Sequence, residues 1–115
     1  VLYISDTGGS HDPDWPAHIR QFDVQGDRLG NDKVFAQIEV GLPDGFRVDS
    51  ASNLWTSTGQ GVDVFDSQGC SLGRIHTGAK TANLCFGGPD GKTLFITASE
   101  SLFSIAVKAS GNQWP

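Results

Sequence analysis

One short unit occurs three times along the chain, and the spacing of its copies narrows the choice of fold more than any other feature. Leu54-Trp55-Thr56-Ser57 comes back as Leu94-Phe95-Ile96-Thr97, 40 residues later, and an earlier copy, Leu2-Tyr3-Ile4-Ser5, lies 52 residues before Leu54. Each copy is built from aliphatic, aromatic and β-branched residues, which suit a half-buried pleated surface. Polar turns precede the two later copies, at Ser50-Ala51-Ser52 and at Gly87–Lys92. A repeat of this length in short strands is the pattern of four-stranded propeller blades, at roughly 40–45 residues per blade. Apolar residues recur at a spacing of two, not three and four, so no helix is expected.

The same alternation, cut by Gly, Pro, Asn and Asp turns, predicts strands at Val1–Thr7, Ile19–Val24 and Lys33–Val40. It predicts Phe46–Asp49, Asn53–Ser57, Val62–Asp66 and Ser71–Thr77 for a second unit, then Asn83–Phe86, Thr93–Ala98 and Leu102–Val107 for a third. The expected blade pieces are therefore about 1–40, 41–78 and 79–108, with a tail at 109–115; only the middle piece has all four strands. At 115 residues the chain is too short for a closed propeller, which takes at least about four blades, and it opens inside a strand with no Met anywhere. The reading is thus the C-terminal part of a larger propeller; the rival is a complete small β domain. A part of a propeller exposes unpaired strand edges and apolar faces. Self-association, or pairing with the missing blades, is expected to cover them.

In an up-and-down blade, the second-to-third strand turns and the links between blades share one face of the disc. That places Gly8–His18, Gly41–Gly45 and Gly78–Ala82 together, and the turns at Ser50–Ser52 and Pro89–Lys92 on the opposite face.

Charge and composition exclude two partner classes. A net charge of −5 leaves no basic face for phosphates, so no nucleic acid is expected. No apolar run approaches the roughly 20 residues of a membrane-spanning helix, so no membrane partner is expected. Cys70 and Cys85 fall at different repeat positions and read as free thiols, Cys85 as a buried, inert one.

Leu42-Pro43-Asp44-Gly45 precedes an innermost strand, which puts Asp44 where the chain enters the central channel. Oxygen ligands converging on one axis are what a hard cation requires; the plain alternative is a turn-capping Asp. Asn83 holds the matching place in the next unit, 11 residues before Leu94 where Asp44 lies 10 before Leu54. It offers a neutral oxygen or a donor to a ligand in the channel, or simply forms a turn. The long Gly8–His18 connection carries His11, Trp15 and His18 and reads as a lid, with Trp15 as a stacking surface; the plain alternative is a solvated loop. Its two histidines have no metal-ligand spacing. Asp6, Asp49 and Asp66 end strands and are expected to bind turn amides.

The segments G-L-P-D-G-F-R-V-D-S-A-S-N-L-W, G-V-D-V-F-D-S-Q-G and N-L-C-F-G-G-P-D-G-K-T-L-F-I-T, with L-Y-I-S-D-T-G and I-R-Q-F-D-V before them, resemble the C-terminal part of the gluconolactonase/regucalcin (senescence marker protein) family. That resemblance implies a six-bladed β-propeller with one divalent metal in its channel, Ca²⁺ first, with Zn²⁺, Mg²⁺ or Mn²⁺ as alternatives. It implies Asp44 as a metal ligand and catalytic group, and Asn83 as a pocket residue. The family's N-terminal Glu ligand and middle-blade Asn have no counterpart in this chain. The implied activity is metal-dependent hydrolysis of a sugar lactone or similar ester by the complete propeller, this part being inactive alone. Two rivals stand beside it: a non-catalytic propeller that binds a partner on one face, and a related propeller enzyme of phosphotriesterase or strictosidine-synthase type. Fold alone does not separate them.

Overall fold

The strongest turn signals lie where the computed structural model, which describes residues 1–112, reverses the chain. Gly26, Gly69 and Gly91 all take positive φ, which glycine adopts without a Cβ penalty. Between such turns run β1 (Leu2–Asp6), β2 (His18–Gln25), β3 (Arg28–Gln37), β4 (Phe46–Val48), β5 (Leu54–Ser57), β6 (Gly61–Phe65), β7 (Ser71–His76), β8 (Thr81–Gly87), β9 (Thr93–Ala98) and β10 (Ser101–Ala106). They form three antiparallel meanders, β1-β2-β3, β4-β5-β6-β7 and β8-β9-β10. The fold is all-β and the sheets are successive blades of a β-propeller, the middle one with four strands.

Burial follows from the strand period of two. In β5 all four residues are buried, because both faces of the middle sheet are covered. Leu54 and Phe65 meet Ile19, Phe35 and Ala36 of the first sheet and Ile38 just past its end. Trp55 and Val62 turn the other way, onto Leu84, Leu94 and Ile96 of the third. Each fully buried aliphatic side chain stabilises by about 1.5–3 kcal/mol. Edge-to-face rings add to both cores, Tyr3 on Phe35 within the first sheet with centroids 4.8 Å apart and Trp55 on Phe86 across the second seam at 5.3 Å. The sheet faces turned away from the middle blade carry exposed apolar side chains, Leu2, Ile4 and Val34 on the first and Leu102 on the last.

Three local expectations are corrected. Strand β3 begins at Arg28, not Lys33, because the Gly26 turn is tight enough to pair Gln25 directly with Arg28. It ends at Gln37, since Val40 leaves the sheet and its carbonyl accepts from the Gly59 N–H at 2.8 Å. The stretch Gly8–His18 is not wholly irregular: Gly8–Ser10 is a single 3₁₀ turn, and His18 is the first residue of β2. Both thiols are free as expected, but Cys85 is exposed. Its neighbour Leu84 takes the place on the second core, and alternation turns Cys85 to the opposite face.

The three strand-ending aspartates bind turn amides. Asp6 accepts from Gly8 N–H at 3.1 Å, and Asp66 from Gln68 and Cys70 N–H at 2.9 Å each. Asp49 accepts from Ala51 and Asn53 N–H, from the Asn53 amide and from the Trp55 indole. Residues 109–112 of the expected tail include a bridge from Gly111 to Asp49, and Ser50 N–H donates to Ser110 O at 2.9 Å. Gln113, Trp114 and Pro115 lie outside the described residues. Among those described, no helix is long and apolar enough to cross a membrane.

Candidate functional site

The link from the first blade to the second delivers Asp44 to one face of the molecule. Pro43 is fully buried and anchors the link, while Asp44 beside it is exposed. The Asp44 N–H closes on Leu42 O at 3.0 Å, a turn that projects the next side chain outward. Gly45 is then fixed to the end of β5: its N–H donates to Ser57 Oγ at 3.0 Å, and its carbonyl accepts from Ser57 N–H at 2.8 Å. Among the described residues no side-chain hydrogen bond or ion pair engages the Asp44 carboxylate.

Asn83 comes to the same place from the next blade. Its Oδ1 lies 2.2 Å from where a Cβ on Gly45 would stand, so the amide fits only over a glycine. That Oδ1 also accepts from Leu84 N–H at 2.8 Å, which fixes the side chain's rotation. Asn83, Thr97 and Leu102, one from each strand of the third sheet, border together with Arg47 and Cys85 a cavity of about 180 Å³ that runs across that sheet's face. The structure therefore sets Asn83 against Gly45, the residue that follows Asp44, a contact that spacing alone does not reveal.

The long loop Thr7–Ala17 shares the face that carries Asp44. A Cβ on Gly9 would meet Leu42 Cδ2 at 3.7 Å, which places the loop against the segment that carries Asp44. The loop is internally bonded: Gly9 N–H donates to Pro16 O at 2.8 Å, and Trp15 N–H to Asp12 O at 2.9 Å. Asp12 also accepts from Asp14 N–H. Trp15 is 56% exposed, and His11 is exposed as well. His18 is not on the loop's outer surface; it is buried at the loop's base, with Nε2 3.3 Å from Asp6 Oδ2.

Two arginines are committed elsewhere. Arg20 donates to both oxygens of Asp32, and Arg74 to both oxygens of Asp63. These hydrogen bonds raise both guanidinium pKa values above their already high ordinary value. Arg47 has no carboxylate partner among the described residues and donates to Phe46 O at 2.7 Å.

The donor set can be weighed against a metal. Asp44 and Asn83 present oxygens, the chemistry a hard cation selects, but Ca²⁺ takes 6–8 of them. Among the described residues no group of three His, Cys, Asp or Glu side chains converges. The ligand type fits, and the described residues hold only part of a full set.

The profile of the family described as SMP-30/Gluconolactonase/LRE-like region matches residues 2–100. The chain belongs to this family. It is 39% identical over 81 residues to the gluconolactonase of Zymomonas mobilis, an overlap of 69% of this chain and 22% of that protein. Among solved structures it is similar to the gluconolactonase of Xanthomonas campestris, with 39% identity and a TM-score of 0.80, covering 91% of this chain and 33% of that one. The calcium-binding protein regucalcin of Agrobacterium tumefaciens shares the fold, with a TM-score of 0.79 at 22% identity over 98% of this chain and 44% of that one. The chain thus spans about a fifth of the Zymomonas protein and about a third of the Xanthomonas one.

Proposed function

We propose that the complete gluconolactonase-family propeller containing this chain hydrolyses a sugar lactone or similar ester with the aid of a divalent cation, Ca²⁺ first, and that Asp44 is a ligand supplied by this part. The observation that carries the reading is that Asn83 packs against Gly45, the residue next to the exposed, unengaged Asp44. The gluconolactonases among its relatives support the substrate class. A divalent cation, when bound, polarises a carbonyl and makes water more acidic.

The chain's own residues take distinct parts. The Asp44 carboxylate would help hold the cation, and a carboxylate there could also accept a proton from water. Asn83, held over Gly45, offers its amide N–H to a ring or hydroxyl oxygen of the lactone. Trp15 gives an apolar face on which a sugar ring stacks, His11 of the same loop is a second exposed group for the substrate, and the loop that carries both screens that side from bulk water. Two oxygen donors are too few for a tight site, so the activity belongs to the complete propeller and this part alone is inactive.

The test is Asp44→Asn in the complete propeller. Asp44 is exposed, so the melting temperature stays put, while calorimetric affinity for Ca²⁺ and kcat/KM for a gluconolactone each fall by about 100-fold or more. Parent-like affinity and rate would remove Asp44 from the site.

A further inference from the structure

His18 is a buried titratable side chain that this scheme leaves without a task, and its surroundings suggest one. We infer that Asp6 and His18 form a clasp that closes the base of the Thr7–Ala17 loop, so that His18 is a positioning residue for the loop and not a contact of the ligand. The inference about the loop's shape stands on geometry alone; its consequence for substrate rests on the lactonase reading above.

The loop leaves the sheet after Asp6 and re-enters it at His18, and these two residues are the last paired positions of β1 and β2. One carboxylate serves both ends. Asp6 Oδ1 accepts from Gly8 N–H at 3.1 Å, inside the loop's first turn, while Asp6 Oδ2 stands 3.3 Å from His18 Nε2 at its end. The His18 side chain is 9% exposed and that of Asp6 36%, so the contact is sheltered on the histidine side and open to solvent on the other. The flanking strand contributes Arg20, whose Nη1 lies 3.4 Å from His18 Nε2 and which is itself held by Asp32. From β3, Gln37 pairs with His18 and its amide donates to Ala17 O at 3.3 Å, securing the loop's last residue.

The other second-to-third strand turns show what the clasp is for. Thr58–Gln60 and Ser99–Glu100 are short enough for backbone bonds to define them. A connection as long as Thr7–Ala17 has more conformations to lose, and tying its two ends to one carboxylate removes many of them. The carboxylate also reaches the loop's interior: a Cβ on Gly8 would meet Asp6 Oδ1 at 3.3 Å and Trp15 Cβ at 3.2 Å. Asp6 and Trp15 thus both close on Gly8, so what holds Asp6 also holds the turn against which Trp15 packs.

The experiment uses the complete propeller with three variants, His18→Ala, His18→Gln and Asp6→Asn, and reads amide hydrogen exchange and lactone kinetics. Gln carries an N–H close to the reach of Nε2, and Asp6→Asn keeps the Gly8 cap while losing the charge. The inference expects exchange at Gly9 and Trp15 to rise about tenfold or more in His18→Ala and less in Asp6→Asn, with β5 and β6 unchanged and His18→Gln returning toward the parent. It expects KM for a gluconolactone to rise about threefold to tenfold in His18→Ala with kcat within about twofold. Unchanged loop exchange, a rise spread equally over the middle blade, or no return in His18→Gln would overturn the clasp. A loss confined to kcat would overturn the positioning role. If the parent turns over no lactone, the lactonase reading fails and the exchange arm still decides the clasp.

Discussion

Strand β4 has an aspartate at each end, and the two could hardly be treated more differently. Asp49, just past its C-terminal end, is 1% exposed and its two oxygens accept four hydrogen bonds from Ala51, Asn53 and Trp55. Asp44, just before its start, is exposed, and nothing among the described residues engages its carboxylate. The same side chain is a structural bolt at one end of the strand and an exposed, unengaged carboxylate at the other. The difference comes from the turns. Ser50–Ser52 folds back over Asp49 and turns its amides onto the carboxylate, and Ser110 and Gly111 lie alongside. Leu42–Asp44 turns away from the sheet, and Gly45 leaves room for Asn83 instead of for a donor to Asp44.

The comparison breaks first at Asp49. Asp49→Ala leaves the Trp55 indole and two turn amides without their acceptor, and in the complete propeller it should cost about 3 kcal/mol or more by urea unfolding. Asp49→Asn keeps one oxygen and should cost clearly less, while Asp44→Asn at the other end should stay within about 0.5 kcal/mol of the parent. Equal stability losses at both ends would mean that the two aspartates do the same job.

Gly45→Ala tests the open end. Its Cβ would fall 2.2 Å from Asn83 Oδ1 and 2.9 Å from Ala82 O, and the second of these is backbone that does not yield. A loss of about 1–3 kcal/mol in unfolding free energy is expected, together with a drop in lactone turnover as Asn83 is displaced. Parent-like turnover with the stability loss would show that Asn83 is not needed there.

Trp15→Ala probes the loop beside that end. Stacking acts on substrate and transition state alike, so KM for a sugar lactone should rise severalfold, by about 1 kcal/mol or less, with kcat nearly unchanged. Identical steady-state kinetics would reduce the loop to a solvated one.

The smallest effect belongs to the turn over Asp49. Ser52 sits at φ 68°, a left-handed conformation that a side chain resists. Ser52→Gly should stabilise by about 0.5–1 kcal/mol, visible as a small rise in the urea midpoint. A fall would mean that the hydroxyl holds a bond stronger than the backbone relief.

Much of this was legible from residues alone. Leu54-Trp55, Leu94-Phe95 and Leu2-Tyr3 mark the repeat, the glycines at 26, 69 and 91 mark reversals, and Asp49 and Asp66 end strands in the way that binds turn amides. Asp44 and Asn83 stood out by their matched places before inner strands. His18 did not read correctly. It closes a Pro-rich, polar stretch and looks like a loop residue, yet it opens β2 and is buried by Asp6, a residue of another strand. Cys85 was misread because period-two alternation shows that Leu84 and Cys85 point opposite ways, not which of the two faces is covered.

The division has a physical basis. Strand period, turn chemistry and short-range capping act within a few residues, so the order of strands, the reversals and the blade architecture are written locally and the chain alone determines them. Which face of each strand is covered, which histidine is buried and which carboxylate stays free depend on groups far apart in the chain. Asn83 on Gly45, Gly9 against Leu42, and Gly111 beside Asp49 are contacts of that kind. They exist only once the blades pack on one another, because close packing, which admits or excludes a side chain at a given point, is a property of the assembled sheets and not of any segment.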